Sequence, residues 1–115
     1  MPYESSNVFA RILRGEIPAQ FLHEDEHCVA FRDLAPQAPL HVLVVPRKAI
    51  ATLGDARSND AALLGHLMLT AVQVARQLGH PEARLVVNNG AAVGQSVFHL
   101  HVHVLAGRAF AWPPG

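Results

Sequence analysis

The sequence predicts an α+β fold in which a five-stranded antiparallel sheet packs against two main helices. Short apolar segments of strand length come in runs rather than alternating singly with helices, which favours antiparallel pairing. One long segment, residues 59–78, has the apolar spacing of a helix. The 115 residues can bury a core without a disulfide or metal, so we expect one domain over residues 1–115. Residues 109–115 form its C-terminal tail, where two prolines exclude a continuing helix.

The first helix is expected to begin after Asn7, a suitable N-cap, and to end at Gly15. The second helix covers residues 59–78 and ends at Gly79. The expected apolar faces are Val8, Phe9 and Ile12 in the first helix, and Leu64, Leu67, Met68, Ala71, Ala75 and Leu78 in the second.

Five strands are expected over residues 19–25, 27–33, 40–48, 83–89 and 97–107. The segment "EDEH" forms the turn between the first two, and Pro46 ends the third. The loop "GAAVGQS" joins the last two strands.

Composition excludes several classes of function. The formal net charge is zero, so no nucleic-acid partner is expected. No apolar run approaches the roughly 18 residues of a membrane span, and "MPYESSNVFA" lacks the features of a secretory signal. Cys28 is the only cysteine, which suits a reducing cytoplasm, and we expect it to be buried as a small apolar residue.

Histidines stand at every second position in "HLHVHVLAG". Successive side chains of a strand point to opposite faces, so His99, His101 and His103 are expected to share one face at intervals of roughly 6.5–7 Å. The other face is expected to hold the apolar residues Phe98, Leu100, Val102 and Val104.

Three interpretations of this row compete. A solvated strand face would be served equally well by Thr, Lys or Glu, so three histidines in register disfavour it. Two of the histidines can bind one zinc ion, with further ligands from His41, Cys28, Asp33 or the acidic segment "HEDEH". No CxxC or HExxH spacing supports that metal site.

The third interpretation, catalysis at phosphorus, is the one we favour. The segment "GQS" precedes the row, and a bend containing glycine can direct consecutive backbone N–H groups at an anion. Histidine is largely neutral at pH 7 and can attack without first losing a proton. The row then supplies a nucleophile, a donor to phosphoryl oxygens and an orienting partner.

The stretch "QSVFHLHVHVLAGR" resembles the signature of the histidine triad (HIT) proteins, in which histidines alternate with apolar residues. The likeness covers nearly the whole chain, and "IPAQFLHEDEHCVAFRDLAPQAPLHVLVVPRK", "LLGHLM", "LVVNNG" and "WPPG" resemble the Hint branch, the histidine triad nucleotide-binding proteins. The resemblance implies a metal-independent, cofactor-free hydrolase of purine nucleoside 5′-phosphoramidates of the AMP or GMP type. It also implies a cytoplasmic homodimer whose two sheets join into ten strands.

The resemblance further implies catalytic roles. His101 matches the nucleophile that forms a covalent nucleotidyl intermediate, and His103 matches the histidine that contacts the phosphate oxygens. His99 and His41 match a supporting pair, and Ser96 matches the serine beside the leaving nitrogen.

Nucleotide-binding positions follow from the same resemblance. Asp33 matches the carboxylate that binds the ribose hydroxyls, and Asn88 a contact near the phosphate. Trp112 matches a tail residue that reaches the partner subunit's active site. The apolar purine slot is matched by Phe9, Ile12, Phe31 and Leu34, although Ile12 and Leu34 also suit an ordinary core. The phosphate-binding bend is matched by Gly94, Gln95, Ser96 and Val97.

Two other functions remain open on the sequence. The chain is also compatible with a dinucleoside polyphosphate hydrolase or nucleotidyl transferase of a sister HIT branch. It is equally compatible with a nucleotide- or partner-binding module whose turnover is incidental. Arg32 and Ala111 depart from the resemblance, because relatives often carry histidine at both positions.

Overall fold

The computed structural model describes residues 1–115 and confirms the α+β fold, with a five-stranded antiparallel sheet and two helices. The helices are α1 (Val8–Leu13) and α2 (Ala61–Gln77); the strands are β1 (His23–Glu24), β2 (Cys28–Arg32), β3 (Leu40–Pro46), β4 (Arg84–Val86) and β5 (Val102–Ala106). The order across the sheet is β1-β2-β3-β5-β4. All four pairings are antiparallel.

The central strand β3 separates two cores. All seven of its residues are buried, as the apolar run "LHVLVVP" predicts for a strand covered on both faces. Its alternate residues Leu40, Val42 and Val44 belong to the larger core, which packs against α2. Leu43 and Val45 belong to a smaller core on the opposite face, next to α1. The two faces of the sheet are therefore distinct environments.

The helix α2 buries a slightly different face from the one predicted. Leu67, Ala71 and Ala75 are buried as expected, and Thr70 and Val74 complete the stripe. Met68 is exposed instead. Two other residues of the predicted apolar face are partly buried, namely Leu64 and Leu78. Gly79 ends the helix with a φ of 88°, a conformation that favours glycine.

The short helix α1 begins as the sequence predicts. The Asn7 side chain accepts a hydrogen bond from the Ala10 backbone N–H at 2.9 Å and so caps the helix. Phe9 and Ala10 are its buried residues, whereas Val8 is 39% exposed. The Phe9 ring meets the Phe31 ring edge to face at 5.6 Å, which places α1 over the smaller core.

The last strand is shorter than predicted. A strand was expected over residues 97–107, but β5 begins only at Val102 because residues 97–99 bend. His99 and His101 therefore precede the strand, and the prediction of three evenly spaced histidines on one strand face is wrong. Phe98 is only partly buried and belongs to neither core, unlike Leu100, Val102 and Val104.

Two other strands are also shorter in the structure than predicted. The first strand, expected over 19–25, keeps only two residues, and the fourth, expected over 83–89, keeps three. Residues 109–115 contain no helix or strand. Neither helix has the length and apolar character needed to cross a membrane.

Candidate active site

A cavity of about 470 Å³ lies on the α1 face of the sheet. It contains eleven of the residues that the sequence analysis assigned to a nucleotide site: Phe9, Ile12, Phe31, Asp33, Leu34, Asn88, Gly94, Ser96, Val97, His101 and His103. Phe9 and Phe31 are buried in its wall, whereas Leu34 is fully exposed at its rim. Leu34 is therefore not a core residue.

His101 presents one free nitrogen to this cavity. Its Nδ1 lies 2.8 Å from the carbonyl oxygen of His99, and a carbonyl can only accept, so Nδ1 carries the proton. The Nε2 lone pair is then free. The Phe9 ring packs edge-on against the imidazole at 4.9 Å. Burial lowers the pKa of His101, so the ring is neutral and unprotonated at Nε2 near pH 7.

His103 receives a hydrogen bond from His41, and a chain of fixed donors sets its tautomer. The Gln37 backbone N–H donates to His41 Nδ1 at 3.0 Å, so His41 carries its proton on Nε2. That Nε2–H donates to His103 Nδ1 at 2.9 Å. His103 must then carry its own proton on Nε2, where it can donate to a ligand. Burial, together with the neighbouring His101 and His41, lowers the pKa of His103 to about 4.

His99 does not line the cavity, because it is fully buried beneath it. Its Nε2–H donates to the Pro46 carbonyl at 2.7 Å, and its Nδ1 accepts from the Tyr3 hydroxyl at 2.5 Å. Burial lowers the pKa of His99 and keeps it neutral. His99 thus holds the backbone carbonyl that orients His101. Tyr3 was missed by the sequence analysis, since nothing in the N-terminal sequence indicates a contact 96 residues away.

The loop before the histidines bends at Gly94, which has a φ of 107°. The backbone N–H groups of Gly94 and Gln95 are already bonded, to the carbonyls of Ala91 and Gly90. Those of Ser96 and Val97 donate to no backbone carbonyl, and both residues line the cavity. The free donors of the bend therefore lie two and three residues after the glycine.

Gln95 lies in the predicted bend, but its side chain is buried outside the cavity. Its Oε1 accepts from the Gly90 N–H at 2.9 Å, and its Nε2 donates to the carbonyls of Ala51 and Val97 at 2.9 and 3.0 Å. Gln95 thus ties the loop to the core and shapes the bend without facing a ligand. Its buried amide is fully satisfied, which stabilises this loop conformation.

Asp33 stands beside the histidine pair at the cavity wall. Its Oδ1 accepts the Ala35 N–H at 2.8 Å, and its Oδ2 lies 3.4 Å from His41 Nε2. The remaining lone pairs are available to hydroxyl donors. Ligand atoms of Asp33, His41 and His103 lie within 4.8 Å of one another, so these three could also hold a metal ion. A second such cluster, His23, Asp25 and Cys28, lies elsewhere.

Trp112 is 83% exposed and does not line the cavity of its own chain. The preceding Phe110 is flanked by the guanidinium groups of Arg84 and Arg108, at 5.1 and 4.1 Å from its ring centre. Arg84 also donates to the Ala111 carbonyl at 3.1 Å. The start of the tail is therefore held on the protein while the Trp112 ring projects away from it. Arg32, the other departure noted above, lines the cavity.

The HIT domain family matches residues 14–110, and the chain belongs to this family. It is 56% identical to an uncharacterized HIT-like protein of Synechocystis sp., over 94% of this chain and 96% of that relative. A HIT family hydrolase from Legionella pneumophila has the same fold, with a TM-score of 0.92 and 44% identity over 96% of this chain and 100% of that one. A histidine triad protein from Clostridium difficile has a TM-score of 0.88 and 35% identity, covering 96% and 97% of the two chains.

These similarities confirm the predicted family. They also show that the chain shares the fold of a HIT family hydrolase. Assignment to the Hint branch stays a prediction.

Proposed function

We propose that this protein is a purine nucleoside phosphoramidase of the Hint branch, which hydrolyses the P–N bond through a nucleotidyl-His101 intermediate. The observation that carries the proposal is the unprotonated, unpaired Nε2 of His101 at the wall of the cavity, fixed there by the bond from Nδ1 to the His99 carbonyl. A nucleophile needs a free lone pair in a defined orientation, and both are provided before a substrate binds.

In the first step, His101 Nε2 attacks phosphorus and the P–N bond breaks, with its electron pair passing to the amine nitrogen. In the second step, water attacks the same phosphorus, releasing the nucleoside monophosphate and freeing His101. A phosphoramidate monoester carries little charge, so a neutral imidazole meets little repulsion. We therefore propose that the reaction needs no metal. Two easier steps replace one difficult displacement.

His103 is assigned to the phosphoryl oxygens, as a donor through Nε2–H. With a pKa of about 4, His103 is neutral near pH 7. It therefore stabilises charge on the phosphoryl oxygens by hydrogen bonding and does not act as the general acid. The free N–H groups of Ser96 and Val97 add donors at the same site. The Ser96 hydroxyl, exposed at the cavity, is assigned to give its proton to the departing amine in the first step. It regains a proton from the water that attacks phosphorus in the second step, so the protons balance over the cycle.

The rest of the cavity suits a purine nucleoside. Asp33 can accept hydrogen bonds from two ribose hydroxyls, each of them charge-assisted. Phe9, Phe31, Ile12 and the exposed Leu34 supply the apolar walls for the base. Asn88 lines the same cavity as Gly94 and Ser96 and is assigned to the phosphate.

We also propose a homodimer. β4 is a sheet edge, and pairing with the same strand of a second copy would create the ten-stranded sheet expected from the family resemblance. The exposed Trp112 would then reach the neighbouring cavity. The free, buried Cys28 agrees with a cytoplasmic location.

The test is hydrolysis of an adenosine 5′-phosphoramidate, followed by mass spectrometry of protein quenched during turnover. We expect one AMP-sized adduct on His101, and we expect H101N to lose both adduct and turnover while still binding AMP. Near-normal turnover by H101N would refute the assignment.

Two further outcomes of this assay would favour a different function. Faster cleavage of a dinucleoside polyphosphate than of the phosphoramidate would favour a sister-branch hydrolase. AMP binding without turnover of either compound would favour a binding module.

A further inference from the structure

A second group of ligand-type side chains meets at the turn between β1 and β2. Asp25 lies at its centre, and its Oδ2 accepts hydrogen bonds from His23 Nε2 at 2.7 Å and from His66 Nε2 at 2.8 Å. His66 comes from α2, 41 residues away in the chain. Two imidazoles from separate elements therefore converge on one oxygen.

The carboxylate of Asp25 is held in place by its other oxygen. Oδ1 accepts the backbone N–H groups of His27 and Cys28 at 2.7 and 2.8 Å. Burial by itself raises the pKa of Asp25, but the bonds from His23, His27 and His66 outweigh it and keep the pKa well below its usual range. Oδ2 is consequently a fixed, ionised acceptor.

The fourth group is the Cys28 thiol, fully buried beneath the turn. Its Sγ lies 3.6 Å from Asp25 Oδ2. Ligand atoms of His23, Asp25 and Cys28 all lie within 4.8 Å of one another. Two imidazoles, a carboxylate and a thiol are a donor set that suits zinc and its neighbours among the transition metals, rather than calcium or magnesium.

Asp25 and Cys28 are already spaced as in a tetrahedral site, whereas both imidazoles lie too close to the Asp25 oxygen and must move. Zinc bonds of about 2.0 Å to oxygen and about 2.3 Å to sulfur place these two atoms about 3.5 Å apart, close to the observed separation. The same geometry puts each nitrogen about 3.3 Å from the oxygen, so each imidazole must move outward by about 0.5 Å. The side chains of His23 and His66 are 19% and 38% exposed, which leaves room for this shift.

We propose that His23, Asp25, Cys28 and His66 form a binding site for Zn²⁺ or a similar transition-metal ion. On binding, the thiol loses its proton to solvent and sulfur bonds the metal. Each imidazole bonds the metal through Nε2 and keeps one proton on Nδ1. The bound metal would then link the β1–β2 turn to α2.

This site is separate from the proposed active site. Cys28 belongs to the larger core, on the α2 face of the sheet, and none of the four residues lines the nucleotide cavity. One positive group lies nearby: Arg47 donates to the Asp25 carbonyl at 2.8 Å, and its charge is paired with Glu24 at 3.1 Å.

The experiment is a titration of chelator-treated protein with Co²⁺, followed by displacement with Zn²⁺. It is performed in an H103N background, so that metal held by Asp33, His41 and His103 does not contribute. We expect one equivalent of tetrahedral Co²⁺ with a thiolate-to-cobalt charge-transfer band, which Zn²⁺ abolishes. The Zn²⁺ complex should also melt at a higher temperature than the metal-free protein.

Matched variants identify the ligands. C28S should lose the charge-transfer band, and H66Q should weaken binding at least about tenfold. H27Q is the control, because the His27 ring lies 5.3 Å from the His66 ring but its side chain does not contact Asp25. H27Q should bind as the parent does.

Absence of the band in the parent, its persistence in C28S, or equal weakening in H27Q and H66Q would overturn the proposal. If H66Q does not fold, H23Q replaces it, since His23 lies on the two-residue edge strand. Imidazole ¹⁵N spectra of the unmutated protein give an independent result. Zn²⁺ should shift the Nε2 signals of His23 and His66, and unchanged signals would overturn the proposal.

Discussion

Replacing His41 tests whether a hydrogen bond, rather than bulk, prepares His103 for catalysis. His41 Nε2–H donates to His103 Nδ1 at 2.9 Å, and His41 is held in that tautomer by the Gln37 N–H. H41L removes the donor and leaves His103 free to carry its proton on either nitrogen. H41Q keeps an N–H donor, and its amide oxygen can still accept from the Gln37 N–H.

The expected loss follows from the hydrogen bond that disappears. A buried polar group left without its partner costs about 1–3 kcal/mol. If the whole cost appears in the transition state, kcat falls roughly 5- to 150-fold in H41L. KM should change little, because His103 donates most strongly when charge develops on the phosphoryl oxygens. H41Q should recover much of the lost rate.

The assay is steady-state hydrolysis of an adenosine 5′-phosphoramidate, with AMP affinity measured by calorimetry. Urea unfolding of both variants checks that the comparison is made on folded protein. If H41L works within twofold of the parent, or if H41Q is as slow as H41L, the tautomer chain does not control His103.

Four further predictions use other parts of the site. The acid limb of the kcat/KM profile should lie below pH 6.5, because the pKa values of His101 and His103 are both lowered, that of His103 to about 4. An acid limb at the pKa of free imidazole would contradict this. The free energy of unfolding should also fall by about 2 kcal/mol between pH 6.5 and about 4, after allowance for partial exposure of His103. In this range the unfolded chain binds a proton at His103 that the native protein does not, and urea unfolding at several pH values measures the fall. Y3F should lower the free energy of unfolding by about 1–3 kcal/mol, since His99 Nδ1 loses its donor, yet reduce kcat less than tenfold; a larger loss of kcat would show that Tyr3 acts in the reaction itself. G94A places a side chain at a φ of 107° and should weaken AMP binding through a strain of about 1–3 kcal/mol, which calorimetry would detect; unchanged affinity would show that the bend tolerates other conformations.

The sequence determined the fold class and most of the cavity residues. The mostly apolar run of β3 predicted a short strand that Pro46 ends, and the apolar spacing of residues 59–78 predicted the helix α2. The histidine pattern "HLHVH" placed His101 and His103 together, because neighbouring alternate residues remain close even where regular strand geometry is lost. Local pattern was sufficient for these features.

Only the tertiary structure decided the tautomers of His99 and His103. The tautomers follow from partners distant in the chain: Pro46 and Tyr3 for His99, and the Gln37–His41 pair for His103. The bend at 97–99 likewise buries His99 and leaves His101 at the cavity, a difference that an alternating pattern cannot encode. Hydrogen-bond roles depend on the positions of fixed donors and acceptors, and those positions exist only once the strands and loops have packed.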